Sequence, residues 1–449
     1  MNYDPQQLRL DGIYQQTGED RWMQRIKVPA GALASEQGLK VAELAERYAG
    51  GRLHLTTRCS IELHDLSGKD LAAVNRGLAS IGLTGRGACG GAVRGISCST
   101  SSSVNYPACQ ALARKLQRHF AGNPYFEGLP KKFKIGIDGE KGRGRHLIQD
   151  TGLVYAGEKE GQNLWDVWCA GGLGREPRAG LLLGERIPES RLIPLIEGLV
   201  FLYREQVEKG KRLKHLVKRV GEEEFRRLLR EKTPEPPPYL PASGLGETLT
   251  ERPGSGEEPL TVPIFAGELD VAAMRLLCRL ATRYAGGVLL LTADQDIALV
   301  CDNEKHRAAL QQRLILKQLG EQATRPQPVF RVCPGSHECR MGLCATRDIA
   351  RSIINELPPA ALGLRFAISG CPNSCSQPQL ADYGILPRKL VKDDDGNHSP
   401  RFDLLKRDGE GLGEIIAENL DLQQLRDAIQ LELDTTEQAI FAPTADGMI

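Results

Sequence analysis

Residues 47–63 read RYAGGRLHLTTRCSIEL, and residues 283–299 read RYAGGVLLLTADQDIAL. Ten of these seventeen positions are identical at a constant offset of 236 residues. The preceding segments match as well. Val41, Leu44, Ala45 and Tyr48 fall at i, i+3, i+4 and i+7, one face of a helix, and Leu277, Leu280, Ala281 and Tyr284 repeat that face at the same offset. Gly50-Gly51 and Gly286-Gly287 follow, and glycine is the residue that best tolerates a left-handed helix end. Strand-like alternation comes next, Leu53/Leu55 and Ile61/Leu63 in one copy, Leu289/Leu291 and Ile297/Leu299 in the other. Copies this far apart mean duplicated domains, because solenoid repeats recur every few tens of residues.

The similarity continues more weakly downstream. Phe133–Gly139 (FKIGIDG) resembles Leu364–Gly370 (LRFAISG), and Asp150-Thr151-Gly152 resembles Asp382-Tyr383-Gly384. After Gly370 the second copy runs Cys371-Pro372-Asn373-Ser374-Cys375, whereas after Gly139 the first runs Glu140-Lys141-Gly142-Arg143-Gly144-Arg145-His146. Cys371-x3-Cys375 follows a second pair, Cys333-x5-Cys339, with 31 residues between them. Four thiolates are what a [4Fe–4S] cluster requires. A short strand opening into a Gly/Pro/Asn loop presents them rigidly. The alternative is a scatter of buried thiols, since free cysteine is among the most buried residue types. Pairing within a Gly-Cys-Pro-Asn loop argues against scatter. Only the second copy can hold the cluster.

Length and composition set wider bounds. A chain of 449 residues allows about three domains. Hydrophobic content of 41% and charged content of 26% are ordinary for a globular protein. A formal net charge of +1 gives no bulk basicity for nucleic acid, so substrate electrostatics must be local. Met1-Asn2-Tyr3-Asp4-Pro5 lacks the basic and apolar regions of a signal peptide, and no apolar run reaches membrane-spanning length. Twelve cysteines without an export signal favour metal binding and buried thiols over disulfides, and a cytoplasmic location. Residues 232–260, rich in Pro, Gly and Glu, read as a connector between the halves. Residues 190–231 read as helical, with Leu195, Leu199 and Leu202 on one face, and 420–438 as a shorter counterpart. Gly171-Gly172-Leu173-Gly174 lacks the spacing of a dinucleotide-binding turn.

Four basic residues of the first half suggest anion chemistry. Arg58 follows Thr56-Thr57 at a strand end, and Arg94 follows the Gly-rich stretch 85–91. Lys132 and Lys134 bracket Phe133; on a strand they would point to one face. Neighbouring lysines repel, which lowers the pKa of one and lets it donate a proton near neutrality. The alternative is a solvated basic edge.

Together, the Cys-x5-Cys…Cys-x3-Cys arrangement, Gly370-Cys371-Pro372-Asn373-Ser374-Cys375, Thr56-Thr57-Arg58 and Leu129-Pro130-Lys131-Lys132-Phe133-Lys134 resemble the sirohaem-dependent sulfite/nitrite reductases. Gly12-Ile13-Tyr14 and Met23…Arg25-Ile26-Lys27 resemble that family's opening. The resemblance implies an α+β, internally duplicated, pseudo-two-fold fold. Its parts would be a ferredoxin-like half-domain over 1–84, an α/β domain with the cationic pocket over 85–231, a linker over 232–260, a second half-domain over 261–322, and a second α/β domain over 323–449. It implies a sirohaem coupled to a [4Fe–4S] cluster, with Cys333, Cys339 and Cys371 on the cluster and Cys375 as the shared axial thiolate. Arg58, Arg94, Lys132 and Lys134 match the family's cationic set around the substrate, and Gln295 a glutamine close to the sirohaem. Arg143, Arg145 and Arg86 are candidates for sirohaem carboxylates. Electrons would come from a separate ferredoxin-like or flavoprotein donor.

The resemblance also frames the substrate, a small oxyanion. Sulfite reductases carry Lys-x-Lys here and ferredoxin nitrite reductases tend to carry Lys-x-Asn, so Lys132-Phe133-Lys134 points to sulfite, with nitrite as the alternative. An oxygenase-like step in corrin synthesis and a sirohaem carrier are further readings. Departures from the family pattern are Cys59 and Glu62, where glutamines are frequent, and Gly95 after Arg94, where asparagine is common. Cys344 is a fifth cysteine near the signature, read as a small buried residue.

Overall fold

The computed structural model describes residues 5–98, 105–235, 259–317, 319, 328–392, 396 and 398–441. Most of the 232–260 connector lies outside the described residues. The chain forms two compact units, a larger one running to Ala323 and a smaller one from Thr324.

Within the larger unit the repeat becomes geometry. Helices Ser35–Tyr48 and Val271–Tyr284 stand at the offset of 236 and pack on one another. Gly38 is the close-approach point, where a Cβ would collide with Cys278 and Met274. Each helix ends on two successive left-handed glycines, Gly50 and Gly51 at φ 59° and 74°, Gly286 and Gly287 at φ 54° and 73°.

The strands that follow do not stay within their own copy. One sheet runs Ile13–Gln15, Trp22–Ile26, Ile61–Leu66, Arg52–Leu55 and Glu268–Asp270; another runs Leu260–Val262, Ile297–Leu299, Val288–Leu291 and Ala32–Ala34. Each copy thus lends a three-residue strand to the other's sheet. Leu269 pairs with Leu53 and Leu33 with Leu289, pairings related by the duplication. Alternating apolar residues from both copies close into a single core that includes Leu33, Leu53, Leu269, Leu277 and Leu289.

A second architecture occurs twice. In the larger unit, strands Ser97–Cys98, Ile135–Asp138 and Thr151–Lys159 are parallel, and Gln162–Cys169 and Leu181–Pro188 continue antiparallel. Helices Tyr106–Phe120 and Leu192–Gln206 contribute to its core, where Leu199 and Leu202 are fully buried and Leu195 packs partly buried. In the smaller unit the same order recurs as Val329–Val332, Arg365–Ile368, Tyr383–Lys392, His398–Lys406 and Glu414–Leu420, followed by helix Leu422–Phe441. The fold is α+β and internally duplicated. Among the described residues no helix is long and apolar enough to cross a membrane.

Candidate functional site

The site in the larger unit begins at two sister turns. After strand Arg52–Leu55, Thr56 Oγ1 accepts the backbone N–H groups of Arg58 and Ser60 at 3.3 and 3.2 Å, and Cys59 is left-handed at φ 54°. After Val288–Leu291, Thr292 Oγ1 accepts those of Asp294 and Asp296 at 3.3 and 3.0 Å, and Gln295 is left-handed at φ 69°. The threonine hydroxyl builds the same turn twice. What differs is the tip: Arg58-Cys59 in one copy, Asp294-Gln295 in the other.

Arg58 reaches inward. Its Nη1 donates to Gln149 Oε1 at 3.0 Å, and its Nη2 to the carbonyls of Gly95 at 2.7 Å and Ile135 at 3.1 Å. Arg94 donates to the carbonyls of Gly87 at 3.3 Å and Gly90 at 2.8 Å. All these acceptors are neutral. Burial pulls both guanidinium groups down to about 10; repulsion from Arg94 adds to the shift of Arg58, and repulsion from Arg25 and Arg212 to that of Arg94. The backbone gathers the expected cations together. The Arg94 N–H donates to the Phe133 carbonyl at 2.8 Å, and Phe133, fully buried, is flanked by half-buried Lys132 and Lys134. The carbonyl of Ile135, one residue on, is the one that holds Arg58.

The other expected contacts divide. Arg145 Nη2 pairs with Asp294 at 2.8 Å, both largely buried. Burial draws its pKa down, but Asp294 and Asp138 more than offset this and hold it above the usual value. Its Nε is buried and makes no hydrogen bond among the described residues, so one donor is left for a further acceptor. Arg143 is half-buried in the same loop. Gln295 is buried and donates to the Leu55 carbonyl at 2.7 Å, which ties the second turn to the first copy's strand. Arg86 is already held by two carboxylates, the largely buried Glu127 and the exposed Asp11. Gln149 escaped sequence reading: a lone glutamine in Leu147-Ile148-Gln149-Asp150 carries no pattern. The relation of Asp150 to Asp382 was its nearest signal.

Lys134 has an informative sister. Its N–H donates to Asp150 Oδ2 at 2.8 Å, and the Arg365 N–H donates to Asp382 Oδ2 at the same distance. In the second copy Arg365 folds its own guanidinium onto Asp382 at 2.8 Å. In the first copy the Asp150 carboxylate is taken by Arg212, at 2.7 Å and fully buried.

The cysteine loops lie in the smaller unit. Cys333 directly follows strand Val329–Val332, and Cys371 comes three residues after the end of Arg365–Ile368. Three glycines let the loops touch backbone to backbone. A Cβ on Gly370 would stand 2.7 Å from Gly335 Cα, and one on Gly342 would strike Gly335 itself. The Gly370 N–H meets Cys333 Sγ at 3.0 Å, the kind of contact that tunes a cluster sulfur. Burial, with Cys375 and Cys371 nearby, raises the Cys333 thiol. Behind the loops, Arg347 grips Glu338 through two bonds of 2.8 and 2.7 Å, and Arg331 holds the Gln377 carbonyl at 3.1 Å. Among the described residues no three His, Cys, Asp or Glu side chains could share one metal ion. A [4Fe–4S] cluster does not need them to, because each cysteine binds its own iron. Cys344 is buried, its thiol pushed up to about 12 by burial.

Comparisons with known proteins agree with this layout. The nitrite and sulphite reductase 4Fe-4S domain matches residues 89–237, and the nitrite/sulfite reductase ferredoxin-like half domain matches 13–81 and 254–316. The first match falls on the copy whose sister carries the cysteine loops. A ferredoxin–nitrite reductase of Synechococcus elongatus is 29% identical over 404 residues, covering 83% of this chain and 77% of its own length. A sulfite reductase [ferredoxin] of Mycolicibacterium paratuberculosis is 24% identical over 425 residues, covering 85% and 72%. The structure of Mycobacterium tuberculosis NirA shares the fold at a TM-score of 0.80 and 20% identity, over 98% of this chain and 88% of that one. The chain belongs to the sirohaem- and [4Fe–4S]-dependent nitrite/sulfite reductase family.

Proposed function

We propose that the protein reduces sulfite to sulfide, six electrons and six protons turning hydrogensulfite into hydrosulfide and three waters. The observation that carries the reading is the gathering of Arg58, Arg94, Lys132 and Lys134, with both arginines held by neutral oxygens alone. Guanidinium groups whose hydrogen bonds go to neutral oxygens keep more of their charge for an anion than groups paired with carboxylates. Arg58 and Arg94 would bind and orient the oxyanion, since arginine offers parallel donors. Lys132 and Lys134 would deliver protons to its departing oxygens.

In the smaller unit Cys333, Cys339, Cys371 and Cys375 would hold the cluster, with Cys375 shared with the sirohaem. The donor set fits: four thiolates on glycine-packed loops, one of them already receiving an N–H. In the larger unit Arg145, through its unused Nε, and Arg143 would meet sirohaem carboxylates, and Gln295 would steady the turn beside them. When bound, the coupled pair supplies electrons one at a time at the reacting iron. A ferredoxin-like donor is supported by the ferredoxin-dependent relatives. A cytoplasmic location is supported by twelve cysteines without a disulfide.

A second reading, nitrite to ammonia, is favoured by the identity of the nitrite reductase relative, 29% against 24% for the sulfite reductase. Steady-state kinetics with dithionite-reduced methyl viologen decide between them. Sulfite is expected to give the higher kcat/KM; a clear preference for nitrite would overturn the sulfite reading.

A further inference from the structure

Segment Arg145–Gln149 is held from both sister turns. At one end Arg145 Nη2 meets Asp294 at 2.8 Å; at the other Gln149 Oε1 accepts Arg58 Nη1 at 3.0 Å. The glutamine is itself fixed. Its Nε2 donates to the Arg145 carbonyl at 3.1 Å, it is 3% exposed, and it packs over Gly136, where a Cβ would stand 2.9 Å from its Cγ. A polar chain therefore runs from Asp294 through Arg145 and Gln149 to Arg58.

The chemistry of the middle link is specific. A glutamate would offer the same oxygen, but with a charge that pairs with Arg58 and cancels its field, and it would leave the Arg145 carbonyl without its donor. A methionine of similar volume would leave the Arg58 donor unfilled and its rotamer unset. Glutamine alone orients the guanidinium and keeps its charge. The aligned position of the second copy is Ala381, which can do neither.

We propose that Gln149 is a positioning residue that sets the Arg58 guanidinium for the oxyanion. The proposal deepens the reading of Arg58 as an anion-binding residue and rests on it. The test uses the full-length holoenzyme with Gln149→Glu, Gln149→Met and, in parallel, Arg58→Gln. KM for sulfite and nitrite should rise about 30-fold in Gln149→Glu and about tenfold in Gln149→Met, with a smaller change in kcat, as expected when one hydrogen bond to a charged group is lost or its charge cancelled. Titration of the oxidised enzyme with either anion, followed by the sirohaem absorption bands, should show the same weakening without turnover. Sirohaem content and the affinity of the reduced enzyme for carbon monoxide, which is uncharged, should stay at wild-type values.

If Arg58→Gln raises KM and neither Gln149 variant does, the positioning role is wrong and the Arg58 reading stands. If Arg58→Gln also leaves KM and anion affinity unchanged, the Arg58 reading falls and takes the proposal with it. Loss of sirohaem content or of carbon monoxide binding in both Gln149 variants would make the residue structural and overturn the proposal.

Discussion

Arginines in this protein divide by what accepts from them. Arg86, Arg145, Arg212 and Arg347 each meet a carboxylate at 3.0 Å or less, whereas Arg58 and Arg94 meet only neutral oxygens. Arg204 also donates only to carbonyls, so the division narrows the candidates, and the shared link to segment Phe133–Ile135 is what sets Arg58 and Arg94 apart. The sulfite reading rests on Lys134. Lys134→Asn should lower the sulfite/nitrite ratio of kcat/KM by about tenfold or more, the scale of one charge-assisted contact; an unchanged ratio would remove Lys134 from the discrimination. Asp296, in the second sister turn, carries a different prediction. Burial raises its pKa from 3.8 to about 8, against the Ile264 N–H it accepts at 2.8 Å. A carboxyl with a raised folded pKa binds more protons folded than unfolded, so stability falls as pH climbs from about 4 and levels off above about 8. Asp296→Asn keeps the acceptor oxygen and removes the penalty. Its melting temperature should exceed wild type at pH 8, with the difference closing toward pH 4; a constant difference would contradict the assignment.

The elements show what sequence can and cannot disclose. Helices 35–48 and 271–284 were legible because a 3.6-residue period and a terminal Gly-Gly are local properties. The exchange of Ala32–Ala34 and Glu268–Asp270 was not, because three-residue strands have no period and nothing in them names a partner. The cysteine spacing and the four basic residues stand out in the chain as candidates, and the individual roles given to them come only from the resemblance. The glycine contact that joins the two cysteine loops, formed between residues far apart in the chain, needed the structure. Gly370→Ala tests that contact: the added Cβ meets backbone, which cannot swing aside as a side chain would. Bound iron and acid-labile sulfide should fall to a small fraction of wild type while far-ultraviolet circular dichroism is retained. Full iron content would show that the loops close by another route.

At the scale of the whole larger unit, the lent strands make each half-domain incomplete without its sister. Leu53–Leu269 and Leu33–Leu289 pairings lie inside one shared core. Continuity of the chain between the copies is therefore not what holds them together. A protease site placed between residues 240 and 250 and cut in the folded protein should leave two fragments that co-elute in gel filtration and keep their activity. Separation of the fragments under native conditions would contradict the shared core. The same exchange predicts that the half-domains melt as one cooperative unit.

The sister turns carry a consequence for descent. In a symmetric pair of identical chains both tips would bear the same residue. Arginine at both would set like charge against Arg145, and aspartate at both would leave no Arg58. One of each, as here, requires that the two copies be free to mutate independently, which identical subunits encoded by one gene are not. Duplication of the coding sequence thus came before the two tips diverged: one now ends in an arginine that reaches Gln149, the other in an aspartate that braces Arg145.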